Sequence, residues 1–144
     1  MSTEQNKAAE RRIIEGLNKG DLAIVNELFA ADYVYHGPAS LGEARGPEGF
    51  KQLVKMIYSG FPDFHMAIED MVGEGEKVVT RATYSGTHKG EFVVIAPTGK
   101  QVSFTGALIA RFVDGKEVEA WEELDMLSFM QQLGAIPPMG QPGK

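Results

Sequence analysis

At Gly60–Pro62 the prevailing hydrophobic period of this chain changes from helical to strand-like, and that change fixes which elements can pack together. Before it, apolar residues recur at helical spacing. Ala9, Ile13 and Leu17 form one stripe of a helix that Ser2 or Thr3 can cap and that Asn18-Lys19-Gly20 ends. Asp21 caps a short second helix with Leu22, Val25, Leu28 and Phe29 on one face. ADYVYHG (31–37) reads as a short strand, and Ala39–Arg45 as loop. Pro47 opens a third helix carrying Phe50, Leu53, Val54 and Ile57. Beyond Pro62 the period is two: Phe64, Met66 and Ile68 alternate with His65, Ala67 and Glu69, and strand patterns continue to Met126. A short helix over Leu127–Leu133 and a Pro/Gly tail follow. Helices first and an antiparallel meander second is the α+β pattern, helices packed on one face of a sheet.

The 144 residues suit one domain, expected over residues 1–136, with residues 137–144 a flexible tail. No run of eighteen apolar residues appears, and MSTEQNKAAERR lacks the apolar stretch of a secretory signal. We therefore expect a cytoplasmic protein with no membrane partner. The chain has no cysteine, which excludes disulfides and thiolate chemistry. The net charge of −6 and scattered basic residues argue against a nucleic-acid partner. His65 and His88 have no ligand-like spacing and read as structural or exposed, and no metal site is expected.

The last strand, KEVEAWEELDM (116–126), carries the most specific signal. Val118, Ala120, Leu124 and Met126 fall on one face; Glu117, Glu119, Glu123 and Asp125 fall on the other, with Trp121 among them. Glu122 breaks the alternation as a carboxylate on the apolar face. In the preceding strand the even positions Val102, Phe104, Leu108, Ala110 and Phe112 are also apolar. A three-residue loop, Val113-Asp114-Gly115, pairs even with even and sets Gly106 opposite Glu122. That pairing leaves a gap beside a desolvated carboxylate, the setting of a general base. The other reading is a rim glutamate bonded to solvent, or to Tyr or Thr across the sheet.

Several stretches in order resemble the SnoaL-like polyketide cyclases of the nuclear transport factor 2 and ketosteroid isomerase superfamily. They are NKGD (18–21), ADYVYHGP (31–38), RGPEGFKQLV (45–54) and FPDFHMAIEDMVGEGEKVV (61–79). SGTHKGEF (85–92), PTGKQVSFTG (97–106) and FVDGKEVEAWEELDMLSFMQQLG (112–134) continue the series. The resemblance implies a cone-shaped, curved antiparallel sheet packed against three N-terminal helices. It also implies ring closure by intramolecular aldol condensation, without cofactor or metal, and a small apolar or polyketide-like ligand. The family's acid/base aspartate falls on Glu122 and its asparagine on the first strand falls on Tyr35. Two family histidines fall on Ala120 and Leu108, and a glutamine falls on Gly106.

Glu122 and Tyr35 are thus the expected catalytic pair, Tyr35 as donor to a developing enolate. The expected pocket comprises Leu17, Tyr33 and His36 with Leu53, Met56, Ile57 and Phe61 from the helical half. Phe104, Gly106, Leu108 and Ala120 complete it from the sheet. The loss of the histidines leaves two further readings open: a non-catalytic binder of small hydrophobic molecules, and a cofactor-free hydroxylase-like relative. An outward Trp121 between Glu119 and Glu123 suggests a homodimer through the outer sheet face, as is common in the superfamily.

Overall fold

The computed structural model describes residues 2–137, so most of the expected tail lies outside the described residues. Four helices, α1 (Thr3–Asn18), α2 (Ala23–Leu28), α3 (Gly46–Gly60) and α4 (Met126–Leu133), accompany six strands. The strands are β1 (Phe29–His36), β2 (Glu43–Arg45), β3 (His65–Glu74), β4 (Lys77–Thr87), β5 (Gln101–Val113) and β6 (Lys116–Leu124). They form one sheet in the order β2-β1-β6-β5-β4-β3. The α+β class, a curved sheet with N-terminal helices, is the one expected. Among the described residues no helix is long and apolar enough to cross a membrane.

Local chemistry explains most boundaries. Ser2 accepts the Gln5 backbone N–H at 3.1 Å while the Gln5 side chain accepts the Ser2 N–H at 2.8 Å, a reciprocal cap. The Asp21 carboxylate accepts the Ala23 N–H at 3.1 Å. Pro47 lies in the first turn of α3. Two features depart from the sequence reading. Residues 43–45, expected as loop, pair antiparallel with Val34–His36 as β2. The first strand, β1, then runs parallel to β6, with Tyr35 beside Ala120 and His36 beside Trp121.

The hairpin between β5 and β6 differs from the expected one. Its loop is the two-residue Asp114-Gly115, both at positive φ (51° and 79°), with Val113 paired to Lys116. Asp-Gly matches the tight turn whose twist suits flanking strands, and it prevails over the longer loop. Parity is restored one step later. Phe112 pairs with Glu117 but Arg111 pairs with Glu119, so Val118 is an extra residue, a β-bulge. Beyond it even faces even, shifted by two: Ala110 opposite Ala120, Leu108 opposite Glu122, Gly106 opposite Leu124. Before the bulge the odd residue faces inward, and Glu117 is buried beside Phe112.

Gly106 therefore does not open a gap beside Glu122. A Cβ there would lie 2.6 Å from the Glu123 carbonyl oxygen, 2.7 Å from Leu124 Cδ2 and 2.9 Å from Tyr84 Cε1. The space is already taken by Leu124 and by the Tyr84 ring leaning across β5. Gly106→Ala should destabilise the fold by about 1–3 kcal/mol through overpacking. Urea denaturation measures this directly; an unchanged midpoint would show that Tyr84 yields freely.

Candidate active site

Two apolar clusters fill the space between sheet and helices. One is centred on Ile13, Val25, Phe29, Tyr33, Tyr35 and Phe112; the other on Phe61, Tyr84, Phe92, Phe104 and Phe129. A cavity of about 120 Å³ lies where they meet, lined by members of both. Strand alternation brings Tyr33 and Tyr35 in from β1, Tyr84 from β4 and Phe104 from β5. From α3 come Leu53 and Ile57, one turn apart, and Phe61 follows that helix.

Glu122 stands between the clusters and holds them together. Tyr35 Oη donates to Glu122 Oε1 at 2.5 Å, and Tyr84 Oη donates to Oε2 at 2.6 Å. Both hydroxyls point at the carboxylate from opposite walls, one from each cluster. Burial raises the Glu122 pKa, and the two tyrosine hydrogen bonds oppose the shift without cancelling it. Burial first, and then the negative charge of Glu122, push both tyrosines well above their ordinary range, so they remain donors. Glu122 still has accessible surface and lines the cavity, as a group that must reach a substrate does. The expected bond from a tyrosine across the sheet is present, together with a cavity.

The structure brings together Glu122, Tyr35, Leu17, Tyr33, Leu53, Ile57, Phe61, Phe104 and Leu108 around this space. Four expected pocket residues are not among the lining. His36 alternates outward from Tyr35: its Nε2 meets Glu119 Oε2 at 2.7 Å and its ring stacks on Trp121. Met56 is 41% exposed, because it points roughly 110° away from the face of α3 that carries Phe50, Leu53, Val54 and Ile57. Ala120 packs against Ala110 and beside Tyr35 in the sealed core. Gly106 is displaced by the register shift and covered by Tyr84 and Leu124. Trp121, on the outer face, is partly covered by His36, with Lys77 Nζ 5.6 Å from its ring centroid.

Three cavity groups escaped the sequence reading. Tyr84 was legible, since Val78, Thr80, Ala82 and Tyr84 share the inner face of β4. Glu10 falls beside Ala9 and one turn from Ile13 and Ile14 on the buried face of α1, a carboxylate within the apolar stripe. Glu117 had no signal, because the tight Asp114-Gly115 turn sets it inward and the bulge reverses the parity only after it. Glu10 and Glu117 are 1% and 2% exposed, and their carboxyls lie close enough to shift one another's pKa. Among the described residues no Lys, Arg or His lines the cavity. Burial raises both pKa values, and Glu117 is pushed up further by the charge of Glu10. His88 is buried as a structural residue, stacked on Phe61 with Nδ1 3.1 Å from Thr98 Oγ1, while His65 is exposed. Among the described residues no three His, Asp or Glu side chains gather to hold a metal ion.

Residues 7–133 match the SnoaL-like polyketide cyclase family. The chain belongs to that family. Its relatives include the aklanonic acid methyl ester cyclase AcmA of Streptomyces galilaeus, 31% identical over 88% of this chain and 89% of the relative. Among solved structures, IdmH of Streptomyces antibioticus, a candidate polyketide cyclase, is 34% identical with a TM-score of 0.81, covering 90% of this chain and 99% of that one. AclR of Streptomyces galilaeus, a candidate hydroxylase, is 28% identical with a TM-score of 0.84, covering 97% and 87%. This SnoaL-like chain is accordingly a polyketide cyclase-like enzyme.

The three interior carboxyls predict how stability depends on pH. Each has a folded-state pKa above the model-peptide value of 4.5, so the folded protein holds more protons than the unfolded one as pH rises past 4.5. Stability is then greatest below that value and declines as pH climbs through the raised pKa values. Denaturant midpoints between pH 4.5 and 8 should fall for the wild type and fall less for Glu117→Gln; parallel curves would contradict the burial argument.

Proposed function

We propose that the protein closes a ring in a polyketide-like substrate by an intramolecular aldol reaction, with Glu122 as the acid/base group. The observation that carries this reading is a cavity-lining carboxylate gripped by two tyrosine hydroxyls in an otherwise aromatic and aliphatic chamber. Glu122 takes a proton from the carbon alpha to a carbonyl; the C–H electron pair moves into an enolate. The enolate carbon then attacks a second carbonyl carbon of the same molecule, forming the C–C bond. The resulting alkoxide takes the proton back from Glu122, which returns to its starting state. No oxidant or external acid is consumed.

Tyr35 and Tyr84 have a double role in this scheme. Their hydroxyls hold Glu122 ionised against the cost of burial before the reaction. Once Glu122 accepts the proton, its hold on them weakens, and the same donors are available to the enolate oxygen growing beside it. A carboxylate whose pKa burial raises, set beside two donors at the cavity wall, suits proton transfer, which a non-catalytic binder does not require. A glutamate replaces the family's aspartate here, and two tyrosines give its longer side chain a fixed position.

Glu122→Gln should lower turnover of an aromatic polyketide ester by roughly 10²–10⁴-fold with the fold intact. Tyr84→Phe and Tyr35→Phe should each lower kcat and shift the rising limb of the pH–rate profile to higher pH, because each removes a donor that favours the ionised form. A Glu122→Gln enzyme with wild-type turnover would refute the assignment, and a limb moving to lower pH would refute the tyrosines' role.

A further inference from the structure

The reaction proposed above uses one of three carboxyls in the cavity wall. Glu10 and Glu117 are more deeply buried than Glu122 and meet each other across the space between α1 and β6. Both oxygens of Glu10 and Oε1 of Glu117 have no donor group of the protein within hydrogen-bonding geometry. Both residues line the same cavity as Glu122, with Tyr33 beside Glu117. A purely structural ion pair is not available to them among the described residues, none of which brings a basic side chain to the cavity wall. Nor is packing a sufficient reason, because well-packed apolar side chains of similar volume often stabilise a fold at least as well as buried charged groups.

We propose that the Glu10–Glu117 pair is a second polar subsite of the cavity, which receives a neutral hydroxyl group of the ligand, a phenol or an enol. The chemistry of the pair selects that group. One proton shared between the carboxyls satisfies one oxygen of each and leaves further acceptors open. A hydroxyl both donates to an open oxygen and accepts from an acid O–H, whereas a ketone or ether oxygen can only accept. The raised pKa values favour a pair that keeps its shared proton, and a neutral hydroxyl is received there without bringing a further ion among aromatic walls. A ligand carboxylate would be repelled by the remaining negative charge of the pair and by Glu122 in the same chamber. The inference rests on the reading of this cavity as the substrate site, but it assigns these residues to recognition, leaving proton transfer to Glu122.

The test is binding, which needs no turnover and so fails separately from the reaction mechanism. 2-Naphthol, naphthalene and 1-naphthylmethylammonium are titrated into the wild type, Glu122→Gln, and the double variant Glu10→Leu/Glu117→Leu, with folding checked by circular dichroism. The wild type and Glu122→Gln should bind 2-naphthol about tenfold or more tighter than naphthalene, the worth of one or two hydrogen bonds. The double variant should lose that preference while holding naphthalene at least as well. If the leucines prevent folding, the double variant Glu10→Met/Glu117→Met serves instead, and its preference should likewise be lost. Equal affinity of the wild type for naphthol and naphthalene would overturn the proposal. So would a preference lost in Glu122→Gln but kept in the double variant, tighter binding of the ammonium probe, or no binding of any probe.

Discussion

The β-bulge at Val118 is the constraint on which the interior depends. A tight Asp-Gly turn starts β6 with its odd residues facing inward, and a strand without the bulge would carry Glu119 and Trp121 into the core. The extra residue reverses the parity after Glu117. One strand thereby delivers carboxylates from both parities to the same chamber, Glu117 at one point and Glu122 beyond it. It also keeps Trp121 and Glu119 outside, where His36 stacks on the first and bonds the second.

With that strand in place, the protein has an interior that is apolar in area and acidic in its few polar groups. Among the described residues no cationic side chain offsets Glu10, Glu117 and Glu122 in the cavity wall. The tyrosines do part of that work: Tyr35 and Tyr84 stabilise the charge on Glu122 by donating to both of its oxygens. For Glu10 and Glu117 burial is the largest influence, and it favours the protonated form of each. The outer face follows the opposite logic. There the carboxylate of Glu119 is held below its usual range by the His36 hydrogen bond and by Arg111. Carboxyls of one strand, Glu117 and Glu122 on one face and Glu119 on the other, thus behave differently because one face meets aromatic rings and the other meets cations and water.

Much of this was legible in particular residues. The three N-terminal helices follow from their stripes and caps, and β3 to β6 from their alternation; Glu122 was visible as the one carboxylate on an apolar face. Its tyrosine partners were half legible, Tyr35 through the family resemblance and Tyr84 through an alternation that placed it inward. The glycine opposite Glu122 was not as expected. Gly106 does clear a path, but for the Tyr84 ring. Met56 and His36 show the same limit: a residue can sit on the right element and face the wrong way by one position.

The sequence by itself determined the order of elements, the family, and the residue types available for chemistry, because periodicity, caps and turns act over a few residues. The tertiary structure decided which of them meet. Parity along β6 depends on where an unpaired residue is accommodated between two strands, and neither strand encodes that alone. The parallel pairing that sets Tyr35 beside β6 joins segments more than eighty residues apart. A two-residue turn competing with a two-sided hydrophobic pattern could be resolved only by a bulge, and that resolution turned Glu117 into a partner for Glu10.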